Sequence, residues 1–412
     1  MTRLADLLTT VFDRRDRFTW RSKPDDRPLD QMAADLIGAA GEVTGLTIAQ
    51  QILARYGEAD DDTKLDFFQH LAEEMTIAPD AIRAALDAYE QGQSKASYRA
   101  YVEASEPPRQ ELIRRLNRVP GATSALVRMR TDLIRLGHGD DVMQALDLDF
   151  RHLFASWFNR GFLVLRPISW ESPAHILEKI IAYEAVHAIN SWDDLRDRLE
   201  PADRRCFAFF HPAMPDEPLI FVEVALTQGI PSAIHDVLTD KRPQIFPEEA
   251  DTAVFYSISN CQKGLAGISF GNSLIKQVAA DLAQDWPGLK TFVTLSPIPG
   301  LVSWLTEQDR MPEDDDSLRA LAAYYLLEVK RGDGQPFDPV ARFHLGNGAR
   351  VLHVHAQADL SEKGLHQSAG AMVNYHYDFH AVAQNHERYA TQRDIAASSE
   401  IRSLASAGAK SL

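Results

Sequence analysis

Cysteine is scarce in this 412-residue chain, which carries only Cys206 and Cys261. Two thiols so spaced match neither a zinc-ligand pattern nor a disulfide framework, and they suit a reducing compartment. Long apolar runs are lacking too: Leu219 to Leu226 contains Glu223 and is far too short to span a bilayer. Positive charge is in deficit. Against 59 Asp and Glu stand 43 Lys and Arg, a formal net charge of −16. Such a chain is a poor partner for nucleic acid or an anionic membrane surface, and a polyanionic small ligand needs a local basic patch. Lys263 and Lys276 are candidates for that patch. The N-terminus mixes Asp6, Asp13 and Asp16 with Arg14, Arg15 and Arg17, so no signal peptide is expected. The final Lys410-Ser411-Leu412 permutes the peroxisomal Ser-Lys-Leu address without matching it. The expectation is a cytoplasmic protein.

What is present is the composition of an ordinary soluble protein, 45% hydrophobic and 25% charged, long enough for two domains. Residues 1 to about 170 read as helices. Leu65, Phe68, Leu71, Ala72 and Met75 fall on one face, and Ile82, Ala85, Leu86 and Tyr89 on the next. These stripes are expected to serve as core and subunit-packing surface. The character changes at Ser172-Pro173, where an N-cap and a first-turn proline open a helix over 173–185. Strand-like runs follow at Cys206 to Phe210 and Leu219 to Leu226. The acidic Glu313-Asp314-Asp315-Asp316 reads as an exposed loop before a helix capped by Ser317. The tail from His386 reads as helical, polar and frayed at its end.

Three stretches carry chemistry. Between Ala253 and Gly300 the pattern is strand, glycine-rich loop, helix, strand. Gly264, Gly267 and Gly271 punctuate the loop, and Asn272 is positioned to cap the helix. Backbone N–H groups at a helix start form a cradle for a pyrophosphate, although the spacing is neither a Rossmann fingerprint nor a P-loop. Ser296 ends the next strand and is fixed by Pro297 and Pro299, which suits a preorganised hydroxyl or simply a Pro-rich turn. His344 precedes Gly346-Asn347-Gly348, a strong helix stop. In a last helical turn the dipole favours the protonated ring, which suits a proton donor as well as plain structure.

Taken together these stretches resemble malonyl-CoA decarboxylases. The likeness runs collinearly through His211-Pro212-Ala213-Met214-Pro215, Phe255-Tyr256-Ser257-Ile258-Ser259, Gln262-Lys263-Gly264-Leu265, Leu295-Ser296-Pro297-Ile298-Pro299-Gly300, Phe343-His344-Leu345 and Asn374-Tyr375-His376-Tyr377. It spans most of residues 172–380. The helical half is similar in character more than in motif. The resemblance implies an α+β chain: an all-helical oligomerisation domain over 1–171, then an acetyltransferase-like (GNAT-type) mixed α/β catalytic domain over 172–412. It implies decarboxylation of malonyl-CoA to acetyl-CoA and carbon dioxide, with no metal or organic cofactor, in a homo-oligomer, by family likeness a tetramer. The family's catalytic serine falls on Ser296 and its histidine on His344, and Tyr377 matches a tyrosine near the family's site. Its acyl-CoA contacts fall on Ala266, Gly267, Ile268, Ser269, Phe270, Gly271 and Asn272, together with Ser296 and His344. Ser269 stands where many members carry an acidic residue. Two rival expectations are an acyl-CoA-dependent N-acyltransferase on the same fold and a non-catalytic CoA-ester-binding regulator.

Overall fold

The computed structural model describes residues 26–239, 241–268 and 274–411. The chain forms two compact units. The first holds the described residues up to Val164, together with Phe210–Glu217 and 262–268. The second holds Leu165–Phe209, Pro218–Cys261 and the described residues from 274 onward.

The first unit is helical. Its helices include Glu42–Glu58, Asp61–Glu73, Pro108–Leu116, Ala122–Leu136 and Asp141–Trp157. Local chemistry sets their starts: Asp60 accepts the Thr63 N–H, Asp140 accepts the Val142 N–H, and Pro108 needs no donor in a first turn. Phe68, Leu71, Leu112, Ile113, Leu126, Leu146, Phe150 and Phe154 fill the core. The helices Pro79–Gln91 and Lys95–Ser105 are different. They pack on each other through Tyr89 and Tyr98, whose rings lie 5.9 Å apart, and neither has a buried residue. The stripe Ile82, Ala85, Leu86 and Tyr89 is therefore not core in this unit: Leu86 is exposed and the other three are half-buried.

The second unit carries most of a mixed sheet. In chain order its strands are β1 Val164–Ile168, β2 Arg204–His211, β3 Met214–Thr227, β4 Thr252–Asn260, β5 Thr291–Thr294, β6 Ser296–Pro297, β7 Arg350–His355 and β8 Met372–His376. They lie in the order β1-β2-β3-β4-β5-β8-β6, with β7 also paired to β8. The prolines at 215 and 218 lie within β3, so the connection before it is shorter than the sequence suggested. The helix expected at 173–185 spans Ala174–Tyr183. Pro173 occupies the cap position, and the Ser172 hydroxyl instead accepts the Ser169 N–H.

β5 runs parallel to β4 from Thr252↔Thr291 to Phe255↔Thr294. One more bond follows, the Leu295 N–H to the Phe255 carbonyl at 3.0 Å. On its other side the chain keeps one antiparallel partner throughout: Val293 pairs with His376, Ser296 with Val373 and Pro297 with Met372 of β8. Pro297 and Pro299 have no N–H and cannot act as ladder donors, which favours a departure here. Side chains alternate along this stretch. Val293 and Leu295 enter an apolar cluster with Ala225, Val254, Tyr256 and Met372, leaving Thr294 and Ser296 on the opposite face.

Two further readings change. Asp314, not Ser317, caps the helix Asp315–Glu328: its carboxylate accepts the Ser317 N–H at 2.8 Å, and Ser317 reciprocates from the third helical position. The acidic run thus belongs to a helix start, where the macrodipole favours it. The tail also packs well. In the helix Ser399–Ser411, Ile401, Ala405 and Gly408 are buried, and a Cβ at Gly408 would lie 2.4 Å from the Ala320 carbonyl oxygen.

Candidate active site

Three separate elements deliver the side chains of one buried cluster in the second unit. Ser296 comes from just past the point where the chain leaves β4 while it stays paired with β8. His344 comes from the last turn of the helix Pro339–Gly346. Asp338 opens that helix by accepting the Ala341 N–H at 2.7 Å, and Pro339 occupies the first turn. Gly348 closes the segment at φ +84°. A Cβ there would lie 2.0 Å from the Val382 carbonyl oxygen, so this turn requires glycine. Tyr377 follows β8, and its N–H donates to the Phe292 carbonyl at 2.8 Å.

The side chains meet in a line. The Tyr377 hydroxyl lies 2.8 Å from His344 Nδ1, and His344 Nε2 lies 3.2 Å from Ser296 Oγ. The Ser296 hydroxyl donates to Thr294 Oγ1 at 2.8 Å, and the Tyr375 N–H donates to that same oxygen at 3.1 Å. The Asn374 amide donates to the Thr294 carbonyl at 2.8 Å. The Tyr375 ring stacks on the imidazole with centroids 4.5 Å apart, and its hydroxyl has no hydrogen-bond partner among the described residues. Ser296, His344 and Tyr377 are 5%, 2% and 2% exposed, so a reacting group beside them has little water around it.

Burial decides the electrostatics. It pulls the His344 pKa down to about 3 from an ordinary 6.5. The expectation of a dipole-favoured imidazolium is therefore overturned. A helix C-terminus contributes up to about 2 kcal/mol to a cation. Desolvation here corresponds to roughly 4–5 kcal/mol at 1.36 kcal/mol per pKa unit, and it wins. Burial likewise holds the Tyr377 phenol well above its usual range, so it stays protonated. Among the described residues no carboxylate touches the ring nitrogens, which distinguishes this line from a Ser-His-Asp arrangement. The cluster is a neutral chain of hydroxyl, imidazole and phenol. It can donate and relay a proton, and it is a poor base.

The first unit holds the start of the glycine-rich loop. Arg130, itself almost fully buried and paired with Asp147 at 2.6 Å, donates to the Gly264 and Ala266 carbonyls at 2.7 and 2.9 Å. Gly267 turns at φ +75°, and a Cβ added there would lie 3.2 Å from Nη2 of Arg151. Ala266 and Gly267 are exposed and Ile268 is half-buried. Ser269, Phe270, Gly271 and Asn272 lie outside the described residues. Lys263 is exposed and Lys276 half-buried. Among the described residues, no group of three or more His, Cys, Asp or Glu is placed to hold a metal ion, and no helix is long and apolar enough to cross a membrane.

Sequence reasoning singled out Ser296, His344 and Tyr377, which the fold brings together. It missed Thr294, Tyr375, Arg130 and Arg151. The two-residue strand period placed Thr294 beside Ser296, and Tyr375 has the same spacing to Tyr377. Arg130 sits in a stripe with Leu126 and Leu133, an arginine where an apolar residue belongs.

Comparison with known proteins agrees over nearly the whole length. The family model "Malonyl-CoA decarboxylase C-terminal domain" matches residues 161–316 and 307–412, and the N-terminal domain model matches residues 77–158. The mitochondrial malonyl-CoA decarboxylase of Anser anser anser is 34% identical over 355 residues, covering 73% of this chain and 70% of that protein. Crystal structures of malonyl-CoA decarboxylases from Rhodopseudomonas palustris and Agrobacterium vitis superpose with TM-scores of 0.86 and 0.87, each at 46% identity. The first covers 91% of this chain and 98% of its own, and the second 92% and 100%. With both domain models matched in order and the same fold found in solved relatives, the chain belongs to the malonyl-CoA decarboxylase family of carboxy-lyases.

Proposed function

We propose that this protein converts malonyl-CoA to acetyl-CoA and carbon dioxide without a metal or organic cofactor, with Ser296 orienting the malonyl group and His344 giving the proton to C2. The observation that carries this reading is the buried, uncharged Ser296–His344–Tyr377 line. In the reaction the bond between C2 and the carboxylate breaks and its electron pair stays on C2. The thioester carbonyl delocalises that charge, so the substrate supplies its own electron sink. Carbon dioxide leaves, C2 takes a proton from the imidazole, and the ring is reprotonated from solvent.

Each part has a physical use. A carboxylate brought beside a buried hydroxyl loses its hydration, and spreading its charge into an enolate relieves that penalty. Ser296 holds the leaving group in one orientation. A thioester enolate is a stronger base than an imidazole anion, so a neutral ring is acid enough to protonate it. Tyr377, as a protonated phenol at Nδ1, disperses charge left on the ring. The same neutral ring argues against the rival functions. An N-acyltransferase needs a base for its amine, and a nucleophilic serine needs one for its hydroxyl. A ring with its pKa near 3 supplies neither.

Ala266, Gly267, Ile268, Ser269, Phe270, Gly271 and Asn272 are the proposed acyl-CoA contacts, with Arg151 at Gly267 as a phosphate-seeking cation. The apolar stripe on Pro79–Gln91 is the proposed packing face of a homo-oligomer. The purified protein is given malonyl-CoA, with and without EDTA, and acetyl-CoA formation is followed. Activity is expected in both. His344→Ala is expected to lose about 10²–10⁴ in kcat, and Ser296→Ala to fall with it. Full turnover in either variant removes the assignment, and acyl transfer from acetyl-CoA to amines without malonyl-CoA consumption favours the rival.

A further inference from the structure

We propose that Thr294 is a positioning residue that keeps the single imidazole proton of His344 on Nε2, the nitrogen facing Ser296. The inference rests on the reading of Ser296 and His344 as the reacting pair, and it adds a residue and a proton location to it.

Ser296 has a single O–H and, among the described residues, two neighbours able to take it, Thr294 Oγ1 at 2.8 Å and His344 Nε2 at 3.2 Å. The geometry makes Ser296 the donor to Thr294. With its proton committed there, Ser296 Oγ presents a lone pair to the ring. Nε2 must then bear hydrogen to bond it, because a bare nitrogen facing a lone pair repels it. A neutral imidazole carries one N–H, so Nδ1 is bare and accepts the Tyr377 hydroxyl at 2.8 Å. The protonated phenol is the donor this arrangement requires. The donors run in one direction: Tyr377 to His344, His344 to Ser296, Ser296 to Thr294.

Thr294 is held for this task from several sides. Its Oγ1 also accepts the Tyr375 N–H at 3.1 Å, and its carbonyl accepts the Asn374 amide at 2.8 Å. Asn374 Oδ1 lies 2.6 Å from His355 Nε2. Thr294 is fully buried, so no water replaces its oxygen as acceptor. In Thr294→Val, which keeps the shape, Ser296 has only Nε2 to donate to. The ring proton moves to Nδ1 and bonds Tyr377 oxygen. The proton then sits on the side away from the serine and is misplaced for transfer to C2.

The test reads the proton directly. Ring-15N histidine labelling of the full chain distinguishes protonated from bare ring nitrogens, and loss of the signal in His344→Gln assigns it among the 14 histidines. The wild type is expected to show Nε2–H, and Thr294→Val to show Nδ1–H. In Thr294→Val kcat and kcat/KM are expected to fall together by about tenfold to a hundredfold, and Thr294→Ser to recover most of the loss. Nδ1–H in the wild type overturns the proposal and needs no folded variant. Nε2–H with unchanged kcat in Thr294→Val overturns it too. Activity persisting in Ser296→Ala or His344→Gln instead sinks the functional reading, whichever tautomer is found.

Discussion

A histidine kept neutral by burial leaves a signature in stability, and replacing His344 with Gln should expose it. Between pH 6.5 and about 3 the unfolded chain binds a proton at this position that the native chain does not. Stability therefore rises with pH across that window and is lost as pH falls through it. The slope for one such group approaches 1.36 kcal/mol per pH unit. At pH 5 the loss from His344 alone is about 2 kcal/mol relative to pH 7.5. Gln can bond Ser296 and Tyr377 but does not titrate. His187, whose pKa burial lowers to about 4, contributes equally to both proteins and cancels. Urea unfolding of wild type and His344→Gln at pH 7.5 and 5.0 gives four free energies. The wild type should lose about 2 kcal/mol more than the variant on acidification. An equal loss in the two proteins refutes the neutral-ring argument and with it the account of proton donation. The same argument forbids an ionisation of His344 near pH 6.5 in the kcat profile.

Other perturbations address the remaining parts. Tyr377→Phe deletes the donor to Nδ1, and kcat should fall about tenfold with KM steady, as steady-state kinetics will show. Arg151→Glu reverses the charge at Gly267, and KM for malonyl-CoA should rise about tenfold at low ionic strength, with the difference shrinking in salt. Leu86→Glu places a charge in the exposed stripe of Pro79–Gln91, and light scattering should then give a smaller assembly than the wild type.

How legible this site was depended on how local its physics is. Ser296 and His344 stand in motifs whose prolines and glycines constrain the backbone, but their spacing alone fits plain structure equally well, and it was the family resemblance that singled them out. Their company was harder to see. Thr294 and Tyr375 follow from strand alternation, but only once it is known which face of β5 and β8 carries the site. The charge of His344 was misread because the helix end is visible in sequence and the burial that outweighs it is not. Asp314 and Ser317 show the same limit at smaller scale: both are good caps, and a shift of three residues decides which one serves. The partly exposed stripe of Pro79–Gln91 has the periodicity of a core helix, and pattern alone does not say what covers it.

The unbroken register with β8 makes the site intolerant of changes in length. Val293 lies opposite His376 and Ser296 opposite Val373, in one register along β8. Neighbouring strand positions face opposite sides of a sheet. A deletion or insertion of a single codon between Thr294 and Pro297 would rotate the serine into the greasy layer occupied by Val293 and Leu295 and bring an aliphatic chain up to the imidazole. The spacing of this stretch is what keeps the serine beside the imidazole.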